Sequence, residues 1–358
     1  MKTIHLIQFG LGGVGRALVQ RVLAARDAFE WRYGLHLTYV ALSDSRGAAI
    51  APDGFSHAQL QAMLAAKEAG QSLEESDWGY KRGELEDIVD IAGREDAIVI
   101  DVTATEATVP ALQLALTRGY GAVLANKKPL TGPMEQFRAL TSSGRLRYEA
   151  TVAAGVPVIA ALRETLIPSH DAVHRIEGCF SGTLGFLTTG LEEDRAFSEL
   201  VAEARALGYT EPDPRDDLGG MDVARKALIL ARTLGWPLEL EHIPVEPLFP
   251  PEMAAGTVDD FMAALPRLDA GYRAKVAAAR ARDNVLRYVA TLAEGEVEVG
   301  LKEVAKTSAL GQLRGSDNLI AFHTEVYNPT PLVLQGRGAG VHGTAAGVLA
   351  DIVALAMR

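Results

Sequence analysis

The stretch TIHLIQFGLGGVGRALVQRVLAAR, residues 3–26, governs how the rest of the chain is read. Residues 3–10 are nearly continuously apolar, which suits a strand buried in a parallel sheet. Gly10-Leu11-Gly12-Gly13-Val14-Gly15 follows, and apolar residues at Val14, Leu18, Val22 and Leu23 continue it as a helix. Glycines at such a strand-to-helix turn permit a tight bend and let the backbone approach a pyrophosphate at the helix N-terminus. A GxGxxG alone is weak evidence, because a purely structural turn uses the same residues. Its context here points to dinucleotide binding, with Gly10, Gly12, Gly13, Val14 and Gly15 as contacts. Strand-like stretches recur at 35–44, 97–105, 121–126 and 145–155, and helical ones at 106–118 and 133–143. That alternation implies an α/β fold built on a doubly wound parallel sheet.

A chain of 358 residues is too long for one ordinary core, so two domains are expected. The pattern changes after about residue 150. Helical stretches are expected at 196–207 and 221–234. Residues 285–304 alternate like an antiparallel hairpin with Glu-Gly at its turn. Residues 321–336 read as one or two further strands, and a glycine-rich loop then leads into a last helix. The expected organisation is a Rossmann-type nucleotide-binding domain over 1–147, completed by a helix at about 337–358, and a second, α+β domain over 148–336.

The net charge of −11 argues against nucleic acid or an anionic membrane surface as partner. Cys179 is the single cysteine, so no intrachain disulfide is possible, which fits a reducing compartment. The N-terminus lacks a signal-peptide pattern, and no run of about eighteen apolar residues marks a membrane span. A cytoplasmic location is expected.

Asp44 stands at the end of the second strand, where an acid usually holds a ribose 2′-hydroxyl and favours NAD. Ser45 and Arg46 follow it and would instead receive a 2′-phosphate, so NAD and NADP both remain open. The lysines of NKKPL (126–130) follow a strand end, where ligands bind in such sheets, although a surface pair is an equal reading. EPDPRDDLGGMDVARKAL (211–228) carries five carboxylates, Glu211, Asp213, Asp216, Asp217 and Asp222. A helix starting near Gly220 puts Asp222 and Lys226 on one face at i and i+4. Three accounts compete: a solvated loop with a helix-stabilising ion pair, a metal cage, and the polar wall of an active site. The cage lacks the tight DxDxDG array of divalent sites. In the third account the acids hold a substrate ammonium and Lys226 exchanges a proton with the oxygen left charged by hydride transfer. Cys179 has apolar neighbours and no histidine motif nearby, and reads as a packing residue.

Taken together, EATVAAGVPV, FSGTLGF, EPDPRDDLGGMDVARKALILAR and GRGAGVHGTAAGVLAD resemble homoserine dehydrogenase, in the family's order and over essentially the whole chain. The long acidic segment is the most specific of these motifs. The resemblance is to the short form, without a regulatory ACT domain or a fused aspartate kinase. It implies NAD(P)-dependent interconversion of L-homoserine and L-aspartate 4-semialdehyde, a step toward threonine and methionine. By the same resemblance Lys226 is the acid/base, Asp222 orients it and the substrate hydroxyl, and Lys127 is a second proton-shuttle candidate between cofactor and substrate. Glu211 and Asp217 would hold the substrate's amino end, and Gly182 and Thr183 would line its pocket. Thr103 and Thr105 would approach the nicotinamide ribose, with Gly338 and Ala339 near the cofactor. A monovalent cation, Na⁺ or K⁺, would sit at Glu149, Val152, Ala154 and Gly155. The second domain is thereby the catalytic and dimerisation domain, and the protein a homodimer. Ser181-Gly182-Thr183 stands where many relatives have Asn-Gly-Thr, and His342 is read as a solvated loop residue. The nearest rival is another amino-acid dehydrogenase of the same plan; a non-catalytic nucleotide sensor is the rival from a different class.

Overall fold

Strand β1 (Lys2–Phe9) is fully buried over its last four residues, as its apolar run requires. In the computed structural model, which describes residues 1–358, it lies inside a seven-stranded sheet. The other strands are β2 (Leu35–Ser43), β3 (Gly47–Ile50), β4 (Gly79–Lys81), β5 (Ala97–Asp101), β6 (Gly121–Leu124) and β7 (Leu146–Arg147), in the order β4-β3-β2-β1-β5-β6-β7. From β2 through β1, β5 and β6 to β7 the pairing is parallel, so the doubly wound expectation holds. The β2 edge differs: β3 and β4 add to it antiparallel, making the sheet mixed.

The helix after the glycine turn, Gly13–Tyr33, ends at Gly34 with φ of +65°, where the left-handed cap suits glycine. It buries Leu18, Val19 and Val22 in one apolar cluster with Leu6 and Leu37 of the sheet and with Val348, Ile352 and Leu355 of the C-terminal helix, Val341–Ala356. Each such aliphatic side chain contributes about 1.5–3 kcal/mol by leaving water. The chain divides into two units, Met1–Gly155 with Gly340–Arg358, and Val156–Ala339. The first unit thus runs to Gly155, not to residue 147. Residues 145–155 are not one strand: after β7 the chain makes the one-turn helix Ala150–Ala153 and a bend at Ala154, φ +54°.

The second unit holds a five-stranded antiparallel sheet, β10-β9-β8-β11-β12, with β8 (Val173–Cys179), β9 (Asn284–Ala293), β10 (Glu296–Ala305), β11 (Asn318–Thr324) and β12 (Leu332–Gly336). The β9–β10 turn is Glu294-Gly295 with both φ values positive, the two-residue geometry that matches strand twist. Helices Gly182–Glu192, Met221–Thr233 and Asp269–Arg280 pack on β9. Arg287 of β9 is almost wholly buried, and is satisfied by Glu192 and by the carbonyls of Leu310, Gly311 and Leu313, as a buried cation must be.

Candidate active site

Four parallel strands of the first unit end on one rung. Phe9 pairs with Ser43 and with Asp101, and Asp101 pairs with Leu124. The residues that follow, Gly10, Asp44, Val102 to Thr105 and Ala125 to Lys127, therefore leave the sheet side by side. At this edge, where the chain order reverses between β1 and β5, ligands bind in open α/β sheets. A cavity of about 750 Å³ opens there, within the usual size of a small-molecule site. Gly10, Gly12, Asp44, Ser45, Thr103 and Thr105 line it, as do the cations Arg16, Lys67 and Arg82.

The glycines of the turn do different work. Gly10 has φ of +99° and faces the Val102 carbonyl. A Cβ on Gly15 would lie 2.2 Å from the Gly10 oxygen, so Gly15 serves close packing of helix on strand. A Cβ on Gly12 would meet no protein atom within 4 Å, which leaves its backbone open to a ligand. Beneath the turn, Gln8 is fully buried. Its amide donates to the Gly10 and Gly15 carbonyls at 2.8 and 3.2 Å and accepts from the Tyr39 hydroxyl at 3.0 Å. The sequence reading missed Gln8, although an amide inside the apolar run IHLIQF was a signal.

Asp44 is engaged within the protein. Its carboxylate accepts from the N–H groups of Arg46, Gly47 and Leu73 at 2.9, 2.7 and 2.8 Å and from Lys67 Nζ at 2.7 Å. Burial opposes its charge, but Lys67 and the backbone donors together hold the carboxyl below its ordinary range. Arg46 is outside the cavity lining and faces Glu75 at 3.6 Å. Thr103 gives its hydroxyl proton to Asp101 at 2.7 Å. Asn126 Nδ2 reaches Asp101 and the Thr105 carbonyl at 2.9 and 2.7 Å. Lys127 comes next, capping the short helix Lys128–Thr131.

In the second unit the acidic stretch resolves into parts. Asp213 caps the helix Pro214–Leu218 and is clasped by Arg215, which also donates to the carbonyls of Ala254 and Gly256. Asp216 is exposed. Gly220 starts the next helix at φ of +74°, where a Cβ would lie 1.9 Å from the Tyr288 hydroxyl. One turn on, Lys226 Nζ sits 2.7 Å from Asp222 Oδ2 and donates to the Phe180 carbonyl at 2.7 Å. Phe180 directly precedes Ser181, whose hydroxyl caps the helix Gly182–Glu192 by accepting from Leu184 N–H. Thr183 donates to the Tyr209 carbonyl at 2.6 Å and lies 3.2 Å from Asp217, whose other oxygen accepts from Glu211 N–H at 2.8 Å. Burial pushes the Asp217 carboxyl upward, and the like charges of Glu211 and Asp222 add to that. Lys226, Asp222, Asp217, Glu211 and Thr183 thus share one polar wall built on three helices, Gly182–Glu192, Pro214–Leu218 and Met221–Thr233, and the loop before the second of them. No group of three or more His, Cys, Asp or Glu side chains is arranged to hold a metal ion.

Gly338 and Ala339 belong to the second unit; Gly338 backs onto Asn318 and neither lines the cavity. Glu149 is buried, and its N–H donates to Asp351 at 2.7 Å. Val152, Ala154 and Gly155 follow within a single turn and bend. A carboxylate and backbone carbonyls make an all-oxygen donor set, which suits a hard cation. His342 is exposed on the first turn of the C-terminal helix. Cys179 is buried and its thiol is pushed up to about 12 by that burial, which fits packing and not nucleophilic chemistry. No helix is long and apolar enough to cross a membrane.

Residues 157–353 match the family model described as homoserine dehydrogenase. The chain is 38% identical over 364 residues to the bifunctional aspartokinase/homoserine dehydrogenase 2 of Zea mays, covering 99% of this chain and 38% of that protein. It therefore spans about two fifths of the length of that bifunctional relative. It is 36% identical to the homoserine dehydrogenase of Paracoccidioides brasiliensis, covering 100% of this chain and 99% of that one. A hyperthermophilic archaeal homoserine dehydrogenase solved in complex with NADPH shares the fold, with a TM-score of 0.77 at 23% identity over 98% of this chain and 97% of that one. Matched along its whole length and carrying the family's acidic segment on a helix-borne lysine, the chain belongs to the homoserine dehydrogenase family.

Proposed function

We propose that the protein interconverts L-homoserine and L-aspartate 4-semialdehyde with a nicotinamide cofactor. The observation that carries this is Lys226, buried to 12% side-chain exposure and gripped by Asp222 and the Phe180 carbonyl beside a wall of carboxylates. Two fixed partners leave the Lys226 ammonium aimed and one hydrogen uncommitted, as a positioned acid needs. In the reductive direction Lys226 gives a proton to the aldehyde oxygen as it becomes a hydroxyl; in the oxidative direction it takes that proton back. Asp222 steadies the ammonium and accepts from the substrate hydroxyl. Asp217 and Glu211 attract the substrate ammonium, which relieves their mutual repulsion. Bound nicotinamide supplies or accepts the hydride, and the Gly12 backbone at the helix N-terminus would hold its pyrophosphate. Lys127 is the second proton-shuttle candidate.

The finer cofactor choice is NADP over NAD. Asp44 has its carboxylate filled by four donors, Lys67 among them, leaving little to offer ribose hydroxyls, while Arg16 and Arg82 line the same cavity and suit a 2′-phosphate. A monovalent cation at Glu149, Val152, Ala154 and Gly155, a homodimer joined through the second unit, and a cytoplasmic location complete the reading. The cation is tested by comparing activity in potassium, sodium and tetramethylammonium salts, and the dimer by sedimentation. For the activity itself, homoserine oxidation is followed at the NADPH absorbance band in wild type and Lys226→Ala. Loss of about 10²–10⁴-fold in kcat is expected of the variant. Wild-type turnover in Lys226→Ala sinks the proton-transfer role, and an inactive wild type sinks the whole reading.

A further inference from the structure

Asp101 is the last residue of β5 and has no solvent exposure. One carboxylate oxygen accepts from Thr103 N–H and the Thr103 hydroxyl at 2.9 and 2.7 Å. The other accepts from the Thr108 hydroxyl and from Asn126 Nδ2 at 2.7 and 2.9 Å. Its backbone carbonyl also receives Ala125 N–H at 2.9 Å. Two loops that leave neighbouring strands, 102–108 and 125–128, are thus tied to one buried carboxylate. Asn126 extends the tie, with Nδ2 on the Thr105 carbonyl and Oδ1 accepting from Lys128 N–H at 3.1 Å. Lys127 lies between these anchored residues, and Thr103 and Thr105 line the cavity.

We propose that Asp101 is a positioning residue for the reaction: holding Thr103 with one oxygen and Asn126 with the other, it sets the turn that carries Lys127 beside the loop whose Thr103 and Thr105 line the cofactor cavity. The proposal rests on the reading of Lys127 as a group that acts between cofactor and substrate. A carboxylate is a demanding choice for a mere staple. Burial alone pushes Asp101 above the usual carboxylate range, and the Thr108, Thr103 and Asn126 hydrogen bonds only oppose that. An apolar residue would fill the same space without the desolvation cost. What it would not do is align two loops to within hydrogen-bond tolerance, and small misplacements of a reacting group are costly in rate.

Asp101→Asn breaks one link selectively. Its carbonyl oxygen still receives both Thr103 donors and the Thr108 hydroxyl can turn to accept from the new amide, but that amide also meets the Asn126 amide, donor against donor. The test is a cycle of Asp101→Asn, Lys127→Ala and the double variant, with kcat and the KM for homoserine and NADP measured on folded protein. Asp101→Asn is expected to lower kcat about tenfold or more, to move the KM for NADP less than about threefold, and to lower kcat no further in the Lys127→Ala background. Thr108→Val, which removes a donor from the same carboxylate without touching Asn126, is expected to lower the melting temperature and leave kcat unchanged. Wild-type kcat in Asp101→Asn, or effects of Asp101→Asn and Lys127→Ala that multiply, would overturn the proposal. A wild-type kcat in Lys127→Ala alone would instead remove the Lys127 reading on which it stands. Should Asp101→Asn not fold, Asn126→Ala cuts the same link from the other side and takes its place in the cycle.

Discussion

At the scale of single residues the carboxylates divide by what already holds them. Asp213 is committed to its helix cap and to Arg215, and Asp44 to four donors. Asp217 accepts two hydrogen bonds, yet burial and the facing charges of Glu211 and Asp222 still raise its pKa. A group in that state gains most from a cation. The sign follows directly. As pH falls through the raised pKa of Asp217 it takes a proton and stops attracting the substrate ammonium, so the KM for homoserine climbs on the acid side. Asp217→Asn is expected to raise that KM roughly 10–100-fold, the range of a hydrogen bond to a charged group, and the lower end suits its partial exposure. The variant's KM should also be flat across the window where the wild type bends. A pH profile of kcat/KM for homoserine reads both effects, and an unchanged acid limb in Asp217→Asn removes Asp217 from the ammonium site.

At the scale of elements, two glycines in one turn separate folding from binding. Gly12 has open space where a Cβ would go, whereas Gly15 has the Gly10 oxygen at 2.2 Å and Gln8 Nε2 at 2.8 Å. Gly12→Ala should therefore melt within a few degrees of wild type and bind cofactor at least about tenfold more weakly, because only the pyrophosphate meets the new methyl. Gly15→Ala should cost about 1–3 kcal/mol of stability from overpacking. Calorimetric titration beside thermal melts distinguishes them, and the opposite pairing of effects would show that the turn is structural only. The same contrast explains what was legible beforehand. The strand–glycine–helix unit has period, punctuation and length, and the Asp222–Lys226 pair follows from helical spacing alone. Strands β3 and β4, GAAI and GYK, are too short to carry a pattern. Residues 148–155 are apolar and β-branched enough to read as extended, but a bend at Ala154 closes them into a turn. The internal partners of Asp44 were not legible for a different reason: Lys67 and Leu73 are remote in sequence, and only folding brings them to it. The Phe180 carbonyl that holds Lys226 is backbone and leaves no mark in the side-chain sequence.

At the scale of the whole molecule, the first unit is built from both ends of the chain. Val348, Ile352 and Leu355 of the C-terminal helix share a core with Leu18 and Val22 of the first helix, so anything that stabilises the glycine turn is felt by residues more than three hundred positions away. Cofactor binding is such an influence, since a ligand that binds only the folded state adds RT ln(1 + [L]/Kd) to its stability. At a hundredfold excess over Kd this is about 2.7 kcal/mol, which for a domain of this size shifts the melting temperature by roughly 5–10 °C. The overall charge of −11 disfavours anions at long range, so the discrimination must come from the local cations Arg16 and Arg82 around an Asp44 neutralised by Lys67. Thermal melts at matched concentrations of NADPH and NADH should therefore show the larger shift with NADPH, and the gap should narrow as salt rises and screens the 2′-phosphate. An equal or larger shift with NADH would mean that Asp44 leaves its internal partners to hold the ribose, and that the cavity selects NAD.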